Sequence, residues 1–279
     1  MVLKSFSKIN LSLNIIRKLK KDRLHEIQSY FCLINLFDEI KIKKIKNKKD
    51  IVKFKGKFSN YVEKKHNTIK DTLAILRERN IISGYYSILV NKKIPVFSGM
   101  GGGTSNAASL IKYFTKNKLN KNLLAILIKE IGSDLKLFFY KQGFLKNLKT
   151  IKVFRRKYRL YFVLVYPNVR CSTKHIYSKV RKYSSKSKYN INKIKNKNEF
   201  TDFIENENND LQSIVENKYP IIKKLILEIQ QKKGCCFSRM TGSGSVCYGV
   251  FKTEKMAKAA LKGIKTKHPK YWLSIAKTI

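Results

Sequence analysis

The sequence predicts an α+β fold in two domains. Three observations predict it. Strand-like alternation and helix-like spacing interleave along the whole chain. The length, 279 residues, suits one large domain or two of ordinary size. A break near residues 150–160 leaves an α+β set of elements on either side, which puts the expected domains at 1–155 and 156–279.

The elements follow in order. "FSKINLSLNII" alternates as a strand through Phe6, Ile9, Leu11, Leu13 and Ile15. "FDEIKIKKI" and "DIVKFKGKF" read as two more strands. "NTIKDTLAILRERN" places Ile69, Leu73, Ile75 and Leu76 at helical spacing. "YYSILVNKKIP" is a strand ending at Pro95. "TSNAASLIKYF" and "NLLAILIKEIG" read as helices, the second stopped by Gly132. "YFVLVYP" is a strand. Residues 179–200 are polar and low in complexity, and read as a mobile surface excursion. "YPIIKKLILEIQQ" is an amphipathic helix, "SVCYGVF" a strand, "EKMAKAALKGI" a helix and "YWLSIAKTI" a final strand.

Composition narrows the class. Hydrophobic residues make up 43% and aromatics 11%, enough for a real core. The net charge is +43, from 61 Lys plus Arg against 18 Asp plus Glu. Such an excess suits a polyanion partner. Lysine outnumbers arginine heavily, however, and arginine is the better residue for bidentate phosphate and base contacts. The lysines run from end to end together with Asn, Ile, Tyr and Phe, all residues of AT-rich codons. Base-composition drift is therefore expected to account for most of the charge, and no nucleic-acid partner is expected. Five cysteines (32, 171, 235, 236, 247) and four scattered histidines form no zinc-knuckle spacing. No apolar run approaches a membrane span and no signal-peptide pattern opens the chain, so a cytoplasmic protein without membrane attachment is expected. Monomer and homodimer both remain open.

Four of the chain's 13 glycines crowd into "IPVFSGMGGGTSNAA": Gly99, Gly101, Gly102 and Gly103. Without side chains, successive backbone amides can close on a bulky anion. Thr104, Ser105 and Asn106 can then open a helix whose N-terminus adds partial positive charge. This predicts a phosphate cradle. A Walker A loop would need a Lys after Gly103, where Thr104 stands. A dinucleotide fingerprint would need an acid about 20 residues on, and residues 105–129 hold none. A second glycine stretch, "SRMTGSGSVCYGVF", contains Gly242 and Gly244 and reads equally as a bulged strand connection. Asp134 in "IGSDLKLFF" suits either a helix cap or a base that deprotonates an attacking hydroxyl.

Taken together these motifs resemble the GHMP small-molecule kinases. "PVFSGMGGGTSNAA" is similar to that family's nucleotide loop, and "RMTGSGS" to its C-terminal glycine motif. "SFSKINL" (5–11), "DRLHEI" (22–27), "GSDLKLF" (132–138), "RCST" (170–173) and "NNDL" (208–211) resemble landmarks of the branch acting on 4-diphosphocytidyl-2-C-methyl-D-erythritol. The resemblance implies a ribosomal protein S5 domain 2-like N-terminal domain and a ferredoxin-like C-terminal domain. It implies ATP-dependent phosphorylation of the 2-hydroxyl of that small-molecule substrate, a step toward isoprenoid precursors. It places Lys8 and Asp134 on the catalytic positions. Pro95, Val96, Phe97, Ser98, Gly99, Met100, Gly101, Gly102, Gly103, Thr104 and Ser105 fall on the ATP loop, with Ser105 also on a position that holds Mg²⁺. Asn10, His25 and Phe31 fall on the substrate side, His25 and Phe31 at the cytidine end.

Departures occur along the chain: Phe6-Ser7 stand where the branch has Pro-Ala, Ser98 and Met100 where Gly and Leu are usual, and "FLKNLKT" after Gly143 lacks paired glycines. Arg23-Leu24 stand where the branch has Gly-Tyr, so an aromatic face is missing, and Lys136 stands where proline is usual. Two other readings compete: a homoserine- or mevalonate-type kinase of the same family, and a basic RNA-associated protein. His25 and the "SKINL" lysine speak against the first. The absence of an aromatic stacking platform beside a lysine cluster speaks against the second.

Overall fold

The computed structural model describes residues 2–19, 24–187 and 191–279, with the backbone alone at Asn192. Asp22 and Arg23 of the "DRLHEI" stretch lie outside the described residues. The chain packs as two compact units that interleave in sequence. One holds residues 2–8, 36–96 and 101–140. The other holds 9–35, 97–100 and 141–279. The sequence reading had placed one boundary at 155/156. The difference arises because β1 (Val2–Asn10), β3 (His25–Ile45) and the glycine loop each cross from one unit to the other.

In the first unit, β5 (Tyr85–Asn91) pairs antiparallel with residues 39–45 of β3 and parallel with β4 (Ile51–Lys55). Helices α1 (Thr68–Glu78), α2 (Gly102–Phe114) and α3 (Lys121–Ile131) pack together, with a 3₁₀ turn, Ser133–Phe139, against α2 and α3. Asparagine starts two of these helices. The Asn67 side chain accepts from Lys70 N and that of Asn120 from Leu123 N, each satisfying an amide the first turn leaves unpaired. Leu73, Leu76, Ala107, Leu110, Ile111 and Leu127 are buried, as the helical spacing requires.

In the second unit, residues 25–28 of β3 pair with β2 (Asn14–Lys18), and residues 29–32 pair with β6 (Gln142–Leu145), which pairs in turn with β7 (Ile151–Val153). A separate antiparallel sheet runs β11-β8-β10-β9, made of β8 (Tyr161–Tyr166), β9 (Cys235–Met240), β10 (Cys247–Phe251) and β11 (Trp272–Lys277). Between β8 and β9 come α4 (Thr173–Ser178), α5 (Lys197–Glu205), α6 (Gln212–Lys218) and α7 (Pro220–Gln230), and α8 (Glu254–Lys267) follows β10. Helix α7 packs on β9 and β10, and α8 on β8 and β11. Cys247 and Gly249 of β10 face α7 while the Tyr248 hydroxyl donates to Asn10 O and Leu11 O, so "CYGVF" is buried at every position, without alternation.

Three expectations change. "FSKINLSLNII" is two strands, broken where Leu13 bridges Asn209. "FDEIKIKKI" is only the second part of β3. The described part of 179–200 is docked rather than an excursion. Val180, Ile191, Ile194 and Phe200 are buried, and the Tyr158 and Phe200 rings stack at 4.1 Å. Widely spaced apolar anchors in a Lys- and Asn-rich stretch carry no periodicity, so composition concealed them. All five cysteines are free thiols. No helix among the described residues is long and apolar enough to cross a membrane.

Candidate active site

In the first unit, Lys8 and Asp134 meet. The Lys8 side chain is 4% exposed, and its Nζ lies 3.4 Å from Asp134 Oδ2, whose side chain is 38% exposed. Asp134 gets there because Gly132, at φ 133°, ends α3 and turns the chain into the 3₁₀ turn. The cap position of that turn is Gly132, so Asp134 is not the cap that one sequence reading allowed. Two residues on, Lys136 is buried. Desolvation pushes its pKa down to about 8, against the pull of the Asp134 carboxylate.

The start of α2 adjoins this pair. Gly101 is its N-cap, in the left-handed region at φ 68°. A Cβ there would fall 2.7 Å from Phe138 Cζ and 3.5 Å from Lys8 Cε, so only glycine fits both the backbone and the space. The amides of Gly102, Gly103 and Thr104 open the helix without intrahelical acceptors, while Ser105 N already bonds Gly101 O. That is the donor set a phosphate needs. Pro95 is buried, Val96 half-buried and Gly103 exposed. The Ser105 hydroxyl faces inward: it donates to Phe6 O at 2.5 Å and lies 2.7 Å from Ser5 Oγ.

The second unit holds the other residues that the sequence singles out. Phe97 is exposed and has φ 57°. Ser98 is buried, its carbonyl accepting from Val246 N, and Met100 N donates to Ser98 Oγ at 3.4 Å. At Gly99, φ 75°, any Cβ would run into the Thr241 carbonyl. The second glycine stretch is therefore the packing partner of this end of the first, which the sequence left undecided. Asn10 is buried, its backbone N bonding Thr241 Oγ1 at 2.9 Å and its Nδ2 bonding Ser29 Oγ at 2.8 Å. The Asn209 side chain pins the same turn by donating to Met240 O and Gly242 O.

His25 opens β3, half-buried, with its ring 5.3 Å from that of Tyr177. Burial, then the Lys18 charge, lower its pKa below the usual histidine value, so the imidazole is neutral at pH 7. Phe31 is wholly buried and lies against Gly143 of β6, so it offers no face to a ligand in this arrangement. The half-buried aromatic beside His25 is Tyr177, which the sequence reading did not single out. Its signal was positional: it sits in the short helix that Ser172 of "RCST" caps. Among the described residues no group of three or more His, Cys, Asp or Glu could hold a metal ion.

Comparison with known proteins identifies the family. Residues 60–140 match the GHMP kinases N terminal domain and residues 192–270 the GHMP kinases C terminal family. The chain is 37% identical to the 4-diphosphocytidyl-2-C-methyl-D-erythritol kinase of Pelagibacter ubique, over 99% of this chain and 98% of that one. It is 30% identical to the enzyme of the same name from Wolbachia pipientis wMel, over 97% and 96%. Among solved structures, a 4-(cytidine 5'-diphospho)-2C-methyl-D-erythritol kinase superposes with a TM-score of 0.77 at 20% identity, covering 99% of both chains. The mevalonate kinase of Methanococcus jannaschii gives 0.68 at 17% identity, covering 100% of this chain and 98% of that one.

Proposed function

Because the chain belongs to the GHMP kinases, we propose that Lys8 and Asp134 carry its phosphoryl transfer, with the glycine loop holding the nucleotide. The reaction is ATP-dependent phosphorylation of an alcohol group of 4-diphosphocytidyl-2-C-methyl-D-erythritol, at its 2-hydroxyl. One observation carries the assignment of roles: the Lys8–Asp134 pair at 3.4 Å, directly beside the glycine cap of α2.

An alcohol is a poor nucleophile, and its proton must leave as the phosphoryl group transfers. Asp134 orients the hydroxyl and accepts that proton. Lys8 holds the same oxygen and offsets charge on the transferring group and on Asp134. The amides of Gly102, Gly103 and Thr104 receive phosphate oxygens. Pro95 to Met100 complete the nucleotide loop. Asn10 and His25 take the substrate, the neutral His25 ring both donating and accepting toward the base edge. Tyr177 supplies the aromatic face that Leu24 lacks. Phe31 shapes that end from inside the core.

Mg²⁺, if it accompanies ATP, would supply charge neutralisation at the transferring phosphate. The Ser105 hydroxyl does not suit it as a ligand, since it is buried and turned inward against Phe6 O and Ser5 Oγ. No step is assigned to a metal on that residue.

The test is ATP turnover by the purified chain with 4-diphosphocytidyl-2-C-methyl-D-erythritol, set beside homoserine and mevalonate. Turnover restricted to the cytidine compound is expected. Turnover with either of the others alone would overturn the substrate assignment. Salt-dependent RNA retention without any kinase turnover would favour the RNA-binding reading instead.

A further inference from the structure

Beneath the glycine cap lies a second ion pair with no part in the chemistry above. Asp38 of β3 is wholly buried, and its carboxylate pairs with Lys92, whose side chain is 3% exposed. Every acceptor direction of Asp38 is filled. Oδ1 takes Lys93 N at 2.7 Å and Ile94 N at 2.9 Å, while Oδ2 takes Lys92 Nζ and Asn106 Nδ2, the latter at 3.0 Å. Lys92 Nζ also donates to Asn106 Oδ1 at 3.1 Å. Asn106 Nδ2 donates on to Ser5 Oγ at 2.9 Å, which meets Ser105 Oγ at 2.7 Å, which donates to Phe6 O.

The chain of bonds joins four segments of the first unit. It reaches β3 through Asp38, the entry to the glycine loop through Lys92 to Ile94, and the first turns of α2 through Ser105 and Asn106. It ends on β1 at Ser5 and Phe6, two residues before Lys8. A Cβ on Gly102 would stand only 3.4 Å from Lys92 Nζ, so the pair lies directly under the helix start.

Stability does not explain such a pair. Taking both charges out of water offsets most of their attraction, and apolar residues of similar size often serve as well. What a saturated polar network adds is fixed direction at every bond. We propose that Asp38 is a positioning residue that acts through Lys92 and Asn106. It holds the Lys8-bearing strand in register with the phosphate-binding turn of α2. The inference rests on the kinase reading for its kinetic consequence, and on geometry alone for its structural one.

The discriminating variant is Asn106→Ala. It cuts the bridge to Ser5 and leaves the Asp38 bonds to Lys92, Lys93 and Ile94 in place. Two readouts are taken on the full chain. Steady-state kinetics should show kcat lowered at least about fivefold, with both KM values within about threefold. Amide hydrogen exchange should accelerate at least about tenfold in residues 4–8 and 101–106 and stay unchanged in the β8–β11 sheet. A smaller fall in kcat with an active parent, or unchanged exchange in residues 4–8, overturns the proposal. A parent without turnover would refute the kinase reading, and exchange would still decide this one. In a second variant, Asp38→Asn combined with Lys92→Met, thermal stability should return toward the parent's while kcat stays low. Joint recovery of both would make the pair structural only and overturn the proposal.

Discussion

The turn proposed to bind phosphate and the residues proposed to face the cytidine end are built on opposite plans. Around Lys8, Asp134 and the start of α2, Lys8 and Ser105 are buried, Asp134 is ion-paired to Lys8, and the backbone is set by a glycine that nothing can replace. Around His25, the ring is half-buried, its neighbour Leu24 is exposed, and the aromatic partner comes from a separate helix. Proton removal and phosphoryl transfer need fixed vectors, and fixed vectors need particular residues at particular spacings. Binding a base needs an apolar face and a few polar edges, which different parts of a chain can supply. The first region therefore restricts which residues can stand in it, and the second restricts them less.

The largest effect that would break this contrast is at the proposed catalytic pair. Asp134→Asn or Lys8→Ala is expected to lower kcat at least about 10²-fold with ATP binding nearly intact. The double variant should be little worse than either single one, as for groups acting as a unit. A lowered thermal midpoint with near-normal kcat would leave Asp134 a structural residue. Next comes Gly101→Val, where a left-handed φ and the 2.7 Å approach to Phe138 exclude any side chain. Loss of measurable ATP affinity is expected by calorimetry, and undiminished affinity would remove the loop from the phosphate site.

The recognition side should respond more gently. Tyr177→Ala and His25→Ala are each expected to raise KM for the cytidine substrate about tenfold, since stacking a base on an aromatic is worth about 1–3 kcal/mol. The KM for ATP should not move. Phe31→Leu should lower the melting temperature while leaving that KM alone, and the reverse pattern would restore Phe31 to the base pocket.

The smallest effect concerns Lys136. Burial holds its pKa at about 8, below the ordinary 10.5, so the unfolded chain binds this proton more tightly than the folded one. The penalty on folding is full below pH 8 and fades between pH 8 and 10.5. Lys136→Met should therefore raise the melting temperature at pH 7 by a few degrees, with the gain shrinking above pH 8. A constant gain across that range would mean the lysine's charge is not the cause.

How legible each region was follows from the same physics. The glycine cluster, the Thr-Ser-Asn helix start and the acid after Gly132 could be read because the backbone geometry they serve admits few residues. The role of Gly242 and Gly244 stayed open because one glycine stretch does not reveal what packs on it. Thr241 against Gly99 is visible only in three dimensions. Asp38 and Lys92 did not stand out in a chain with 61 basic residues, although both are almost wholly buried. Tyr177 lay in a helix of six residues, too short for a periodic signal.

Strand β3 carries His25 at its first residue and Asp38 thirteen positions later, in one unbroken run to Ile45. Successive side chains of a strand face opposite ways, so parity along it is a conserved quantity of the architecture. Mutational drift toward AT-rich codons can exchange letters here without changing parity. A single-codon deletion between Cys32 and Asp38 cannot, because it would turn the Asp38 carboxylate away from Lys93 and Ile94 while leaving His25 where it is. The lineage should thus tolerate far more substitutions than length changes in this strand. Across descendants, the spacing from His25 to Asp38 should outlast the identity of nearly every residue between them.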